Sequence, residues 1–370
     1  MKILFDYQIF SIQRFGGISR YFYEIMKRFY DYNEVSFMLS LLYSNNEYIK
    51  KSKFYNKFIL KGFIFPGRYK IENVINKLYS KILLKHSNYD IFHPTYYDSY
   101  FIKYLGKKPF VLTVYDMIHE KFRNLYNHKD KTIEIKKYLM YNAKKIIAIS
   151  RNTKKDILNY TNIKENKIEV IYLANSLSID NELQVSSNNT LNNLPNNYIL
   201  FVGRRDKYKN FGNLVKAIGK LLYEDKDLYL LCVGGGNFTP EERNMFYNMK
   251  IANKIYHLDV DDYGLTHLYR QAKLFVFPSL YEGFGIPILE AFANDCPVVC
   301  SNRSALPEVA GKAALYFDPE DIRSIKSSVE IVLENSKLRA SLIEKGKNRI
   351  KYFTWDKTAK ETIELYKKLL

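Results

Sequence analysis

KLFVFPSLYEGFGIPILEAFANDCPVV, residues 273–299, holds a strand, a glycine turn, a helix and the start of another strand. The run KLFVFPS (273–279) is apolar, as a strand buried on both faces is. Gly283 and Gly285 turn the chain. Pro287 falls near the first helical position, where its missing N–H costs nothing. PVVCS (297–301) then restarts a strand. A strand-turn-helix-strand segment of this kind is the building unit of a parallel sheet covered by helices.

The same alternation runs outward in both directions. Downstream of the polar stretch 174–197 come strands NYILFVG (197–203), DLYLLCVGGG (227–236), KIYHL (254–258) and AALYF (313–317). Helical patterns separate them at 211–223, 264–272, 287–293 and 321–334. Upstream, MKILF (1–5), VSFMLSLLY (35–43), YDIFHP (89–94), PFVLTVYD (109–116), KKIIAIS (144–150) and KIEVIYL (167–173) read as strands, with a helix from about Ser19 to Tyr30. ANSLSIDNELQVSSNNTLNNLPNN (174–197) lacks periodicity and is rich in turn formers. The pattern predicts two α/β domains: 1–180, a linker at 181–196, and 197–353.

Composition narrows the function. The chain has 370 residues, 47% of them hydrophobic and 16% aromatic, which is enough for packed cores and excludes wholesale disorder. Residues 1–150 hold 26 Lys and Arg against 12 Asp and Glu, a net +14; 151–200 balance at 5 and 5; 201–370 hold 26 against 22. So basic a half expects an anionic partner. Three cysteines, Cys232, Cys296 and Cys300, make neither a zinc ribbon nor a disulfide framework. MKILFDYQIF lacks the apolar core of a secretory leader, and no long apolar run predicts a membrane span. A cytoplasmic protein, soluble or peripheral to a membrane, is expected.

Three places can carry chemistry. In SLYEGFGIPILEAF (279–292), Glu282 precedes the glycines and Glu290 follows inside the helix. Glycines let the backbone approach a ligand, and a helix N-terminus offers N–H groups to a diphosphate. The plainer reading is a turn with two solvated glutamates. In ILFVGRRDKYKNF (199–211), Arg204, Arg205, Lys207 and Lys209 crowd the turn after a strand, where ligands of open α/β sheets bind. Arg205 and Lys207 fit a solvated loop better than Arg204 and Lys209 do. Gly16-Gly17 opens a helix after the first strand without the full G-x-G-x-x-G fingerprint.

GGISRYFYEI, FVGRRDKYKNF, LLCVGGG, FPSLYEGFGIPILEAFANDCPVV and SALPEVAGKAALYFDPED together resemble the retaining glycosyltransferases of family 4. The resemblance implies a GT-B fold, with two Rossmann-like doubly wound domains facing a central cleft. FTWDKTAKETIELY (353–366) is similar to the family's closing helix, so 354–370 is expected to pack back on the N-terminal domain. The resemblance implies a donor-sugar contact at Glu282, a ribose contact at Glu290 and diphosphate cations at Arg204 and Lys209. Gly17, Gly283, Phe284, Gly285 and Ile286 complete the implied donor site. The implied reaction moves a hexose from a nucleotide-diphosphate sugar to a glycan; the motifs resemble those of mannosyltransferases, which favours GDP-mannose over a UDP- or dTDP-sugar as donor. A lipid-linked saccharide acceptor in cell-surface polysaccharide synthesis is the matching context. Neither cofactor nor metal is implied.

One departure stands out. Many relatives carry a His-Asp pair where this chain has Tyr115-Asp116, with His119 three residues on. Tyrosine cannot serve as a neutral base near pH 7. Asp116 is therefore the candidate beside Glu282, with His93, Tyr115 and His119 as further sugar or acceptor contacts; ordinary structure is an equal reading for His119 and the plainer one for His93. Asp259-Val260-Asp261 resembles a metal-binding DxD, but it precedes a helix and Asp262 reads as the cap. Residues 51–85 carry nine Lys or Arg against Glu72 alone, interleaved with aromatics. Ile71, Val74, Ile75, Leu78, Ile82 and Leu83 share a helical face there, which suits either the core or an anionic membrane. A nucleic-acid partner is not expected, since no recognition motif accompanies the charge.

Overall fold

The structure is a computed structural model that describes residues 1–54, 68–127, 130–177, 194–205 and 207–370. It divides into two compact units, Met1–Leu173 with Trp355–Leu370, and Ala174–Thr354. The stretch expected as a linker falls almost wholly on 178–193, outside the described residues.

Unit 1 begins with β1 (Lys2–Asp6), α1 (Gln8–Ile12), α2 (Gly17–Phe29), β2 (Ser36–Ser40), α3 (Glu47–Lys50) and α4 (Arg68–His86). It continues with β3 (Ile91–His93), β4 (Val111–Val114), α5 (Ile118–Lys121), α6 (Thr132–Asn142), β5 (Lys145–Ala148), α7 (Arg151–Tyr160) and β6 (Ile168–Val170). Parallel pairing gives the orders β2-β1-β3 and β4-β5-β6, joined by a parallel bridge between Phe92 and Phe110. β2 stops earlier than its apolar run predicts. The Asn76 side chain takes the N–H groups of Leu42 and Tyr43, at 2.9 and 3.0 Å, so they leave the ladder.

Unit 2 runs β7 (Tyr198–Val202), α8 (Phe211–Glu224), β8 (Tyr229–Val233), α9 (Pro240–Asn248), β9 (Ile255–Leu258), α10 (Asp262–Gln271) and β10 (Leu274–Phe277). Then come α11 (Ile286–Ala293), β11 (Val298–Ser301), α12 (Leu306–Ala310), β12 (Ala314–Phe317), α13 (Ile322–Glu334) and α14 (Ser336–Ile350). Its six strands are parallel in the order β12-β11-β10-β7-β8-β9. That is the doubly wound order, with helices on both faces. β7 and β10 are buried along their whole length, which is why both read as unbroken apolar runs. Ile199, Phe201, Leu230, Cys232, Leu274 and Val276 meet Leu214, Val215 and Ile218 of α8 and Ile325 and Val329 of α13 in the core.

α15 (Trp355–Lys367) leaves unit 2 and packs on α2 of unit 1. Trp355 lies against Tyr21 and Tyr366 against Phe29, each at 6.3 Å between ring centroids. Arg28 pairs with Asp356 at 2.7 Å, and Thr358 donates to the Tyr172 carbonyl at 2.8 Å.

The carboxyl end of β1 is tied to that of β3 through Asp6. This fully buried carboxylate accepts from the Thr95 N–H (2.8 Å), the Thr95 hydroxyl (2.7 Å), Gln8 Nε2 (2.7 Å) and the Tyr100 hydroxyl (3.1 Å). Burial nevertheless pushes its carboxyl above the ordinary range, against the lowering by these bonds.

Candidate functional site

Strand order fixes where a ligand can lie. In unit 2 the winding reverses between β7 and β10, and a crevice opens at the carboxyl ends of two such strands. The two sequence motifs are those two ends: Gly203–Lys209 follows β7 and Pro278–Gly285 follows β10. They are bound to each other. The Leu280 N–H donates to the Tyr208 carbonyl at 2.8 Å. Asn210, in the left-handed region at φ 61°, donates to the carbonyls of Pro278 (3.1 Å) and Pro319 (2.7 Å). Asparagine tolerates that backbone better than most residues. Its role was not read from the sequence, although an asparagine before a helix was a visible signal.

Lys209 and Glu282 meet across this junction. Nζ lies 2.6 Å from Oε1, with the side chains only 15% and 14% exposed. The Lys209 ammonium also lies 5.7 Å from the Phe277 ring centroid and 5.2 Å from that of Tyr208. The Glu282 backbone N–H donates to Ser304 Oγ at 2.8 Å, which fixes the loop from the α12 side. Arg204 is exposed on the same turn. Arg205 points the other way, into framework. It pairs with Glu242 (2.8 Å), donates to the carbonyls of Gly234, Gly236 and Asn237, and lies 4.8 Å from the Phe238 ring centroid. A Cβ on Gly235 would meet the Arg204 Cα at 3.2 Å, so the turn after β8 is held against this arginine pair.

Gly285 caps α11 at φ 109°, and a Cβ there would meet Leu306 Cδ2 at 2.9 Å. Glycine is needed on both counts. Phe284 is buried against Phe353. Ile286 and Pro287 start the helix with no side-chain cap on its first N–H groups. Glu290, one turn in, accepts from the Tyr269 hydroxyl at 3.2 Å. Gly283 is buried in the same loop. Unit 2 therefore gathers a cation, two carboxylates and a helix N-terminus at one end of its sheet. That set can hold a diphosphate on the cation and helix end, and hydroxyl groups on the carboxylates.

The residues predicted in unit 1 fare differently. Gly17, exposed, opens α2 after β1. Asp116 follows β4, half-buried. Its Oδ1 accepts from the Ile118 N–H at 3.0 Å, and its carbonyl accepts from Lys136 Nζ at 3.1 Å. Lys136 is fully buried and pairs with Glu120 at 2.7 Å. It braces the Asp116 turn from α6, a role the sequence did not show. His119 lies 3.8 Å from Asp130 and stacks on Tyr126 at 4.1 Å. Burial first, and Lys136 next, lower its basicity.

Tyr115 is corrected as a contact, and of the two readings of His93 the structural one holds. His93 is fully buried, with Nδ1 2.5 Å from the Tyr366 hydroxyl and Nε2 2.9 Å from Thr113 Oγ1. Both ring nitrogens are spent inside unit 1. Tyr115 is 6% exposed, and its hydroxyl donates to the Thr95 carbonyl at 3.2 Å. Neither side chain is presented to a ligand. The cap of α10 is also reassigned: Asp261 accepts from the Gly264 N–H at 2.9 Å, while Asp262 is the first helical residue.

Burial lowers the His93 pKa to about 3, so the imidazole is neutral in the folded protein. The unfolded chain titrates near its ordinary ~6.5. The neutral ring's contribution is complete above that value and is lost as pH falls toward 3. Between pH 7 and 4.5 this costs about 2–3 kcal/mol. Urea midpoints at the two pH values should fall more steeply for the natural chain than for His93→Gln. Equal slopes would remove His93 as the cause.

Two family models divide the chain. The model for Glycosyltransferase Family 4 matches residues 15–174, and that for Glycosyl transferases group 1 matches residues 184–349. The chain is 31% identical over 255 residues to O-antigen chain mannosyltransferase B of Escherichia coli, covering 66% of each chain. It is 28% identical over 222 residues to the N-acetylgalactosamine-N,N'-diacetylbacillosaminyl-diphospho-undecaprenol 4-alpha-N-acetylgalactosaminyltransferase of Campylobacter jejuni, covering 59% of each. The matches thus span about three fifths to two thirds of these relatives' length. The sucrose-phosphate synthase of Thermosynechococcus elongatus superposes on 100% of the chain and 98% of its own at a TM-score of 0.76. With 18% identity, that is a likeness of fold.

Proposed function

Because this chain belongs to the group 1 glycosyltransferases and has their GT-B fold, we propose that it moves a hexose from a nucleotide-diphosphate sugar to a glycan. The observation that carries this reading is the meeting of Lys209, Glu282 and the α11 N-terminus at the switch point of unit 2. Without donor, the Lys209 ammonium is neutralised by Glu282. A diphosphate arriving beside Arg204 and the α11 N-terminus takes over Lys209. Glu282 is then released to accept from a sugar hydroxyl, and Glu290 from the ribose. When the bond from the sugar's anomeric carbon to the phosphate oxygen breaks, negative charge grows on the departing diphosphate. Preorganised cations and helix N–H groups stabilise that charge.

GDP-mannose is the favoured donor, supported by the mannosyltransferase from Escherichia coli among the relatives. The reaction is read as retaining at the anomeric carbon and as needing no metal. Asp116, from unit 1, is read as a contact to sugar or acceptor, and Gly17 as a contact to the diphosphate. The acceptor is read as lipid-linked, in surface-glycan synthesis of the O-antigen type, at the cytoplasmic face of a membrane. The diphospho-undecaprenol in the Campylobacter jejuni relative's name supports this, as does the +14 carried by residues 1–150. Among the described residues no helix is long and apolar enough to cross a membrane.

The test is a thermal-shift series with GDP-, UDP- and dTDP-sugars. A donor at 100 times its dissociation constant stabilises by about 2.7 kcal/mol, a rise of roughly 5–10 °C for a unit of this size. GDP-mannose should give the largest rise. No rise with any of them overturns the donor reading. The anomeric configuration of the product, read by NMR, tests retention.

A further inference from the structure

Helix α4 buries polar side chains and leaves apolar ones outside. Toward the rest of unit 1 it turns Asn76 and Ser80, both fully buried, with Leu84 the apolar anchor in the core near its end. Asn76 takes the Leu42 and Tyr43 N–H groups and donates to Ser11 Oγ (3.1 Å) and the Tyr43 carbonyl (2.8 Å). Ser80 meets Ser40 Oγ at 2.7 Å and the Tyr100 hydroxyl at 2.5 Å. The other side carries Ile71, Val74, Leu78 and Ile82, which are 50%, 58%, 53% and 56% exposed. Steps of three and four residues align them in one stripe, about 16 Å long. A surface helix ordinarily does the reverse. Four aligned apolar side chains left in water mark a face that something covers.

Charge identifies the cover. Along one flank of the stripe, the ammonium groups of Lys77, Lys81 and Lys85 rest 5.2–5.6 Å from the ring centroids of Tyr100 and Tyr104. Glu72 is the one acid in the helix sequence. The basic edge continues past the helix. Lys108 donates to the Ser87 carbonyl at 3.2 Å. With Lys107, Lys144, Lys145, Lys164 and Lys167 it lines an open cavity of about 920 Å³ with no carboxylate among the described residues of its wall. A second copy docked stripe to stripe would set Lys81 and Lys85 against lysines of its own kind. An anionic bilayer suits both features: acyl chains receive the stripe and headgroups receive the lysines.

We propose that α4 lies flat on an anionic lipid surface, with Ile71, Val74, Leu78 and Ile82 in the acyl boundary and Lys81 and Lys85 among the headgroups. This deepens the lipid-linked acceptor reading above and rests on it for its purpose. It does not rest on donor chemistry.

The test is flotation of the full chain with vesicles of phosphatidylcholine alone, or with about one quarter phosphatidylglycerol. The natural chain should float with the anionic vesicles and lose them as salt rises. Leu78→Glu/Ile82→Glu should weaken that binding by about tenfold or more, and Lys81→Glu/Lys85→Glu by a similar factor. Leu78, Ile82 and Lys85 are exposed and Lys81 is half-buried at the surface, so both variants should keep their fold and their nucleotide-sugar shift, which melting curves check. The retained shift separates failure here from failure of the transferase reading. No flotation of the natural chain with anionic vesicles overturns the proposal. So does undiminished flotation of Leu78→Glu/Ile82→Glu. A soluble dimer that this variant disperses, without vesicle binding, overturns it in favour of a second copy.

Discussion

Glu282→Gln lowers hexosyl transfer by about 10²–10³-fold, the loss typical of one preorganised group at a reacting centre. The fold survives the change. Glutamine keeps an oxygen that can accept from Lys209, and the Ser304 bond is made by the backbone, which the substitution leaves alone. What disappears is the negative charge. Without it the Lys209 charge is no longer balanced before the donor arrives, and the sugar hydroxyl meets a weaker acceptor. Transfer is measured with the donor that gives the largest thermal shift, beside melting curves of both proteins. A loss in kcat with KM little changed places the role of Glu282 in the transition state. Full activity in a folded Glu282→Gln chain would sink the site assignment.

Asp6→Ala costs unit 1 about 3–5 kcal/mol, since four donors lose a buried acceptor together. A domain's whole stability is about 5–15 kcal/mol, so the loss is a large share of it and the urea midpoint falls accordingly. The measurement is urea unfolding at pH 7, with the nucleotide-sugar shift of unit 2 as an internal control. The pH has to be fixed because two buried groups pull in opposite directions. Asp6 has a raised folded pKa, so acid favours the folded state through it; His93 has a lowered one, so acid opposes folding through it. A midpoint for Asp6→Ala equal to that of the natural chain would show that Thr95, Gln8 and Tyr100 find other partners.

The sequence was most legible where one physical demand dominated. Buried parallel strands such as YILFV and LFVF have to be apolar throughout, and they stood out. The two turns after β7 and β10 stood out because glycines and cations cluster there. Which arginine turns into the framework was less obvious. Arg205 turns inward through carbonyls of Gly234, Gly236 and Asn237, contacts made across the sheet from another loop. His93 stood open between contact and structure for a related reason. A histidine at a strand's carboxyl end suggests a ligand, but its partners Thr113 and Tyr366 come from distant sequence. α14 escaped notice because only Leu342 and Gly346 are buried along it, too few to make a periodic stripe. α4 was visible as a helix with an apolar face. Only its buried asparagine and serine show that this face is turned outward.

The seating of α15 on α2 has a consequence for biosynthesis. Trp355–Leu370 leaves the ribosome after all of Ala174–Thr354 has been made. At ~5–20 residues per second, that interval lasts roughly 10–40 s. During it the nascent first unit lacks Trp355 against Tyr21 and Tyr366 against His93 and Phe29, so an aromatic seam stands open. The N-terminal half therefore cannot finish folding on its own schedule. A newborn chain is most exposed to proteases and chaperones there, and a stalled ribosome would strand it in that state.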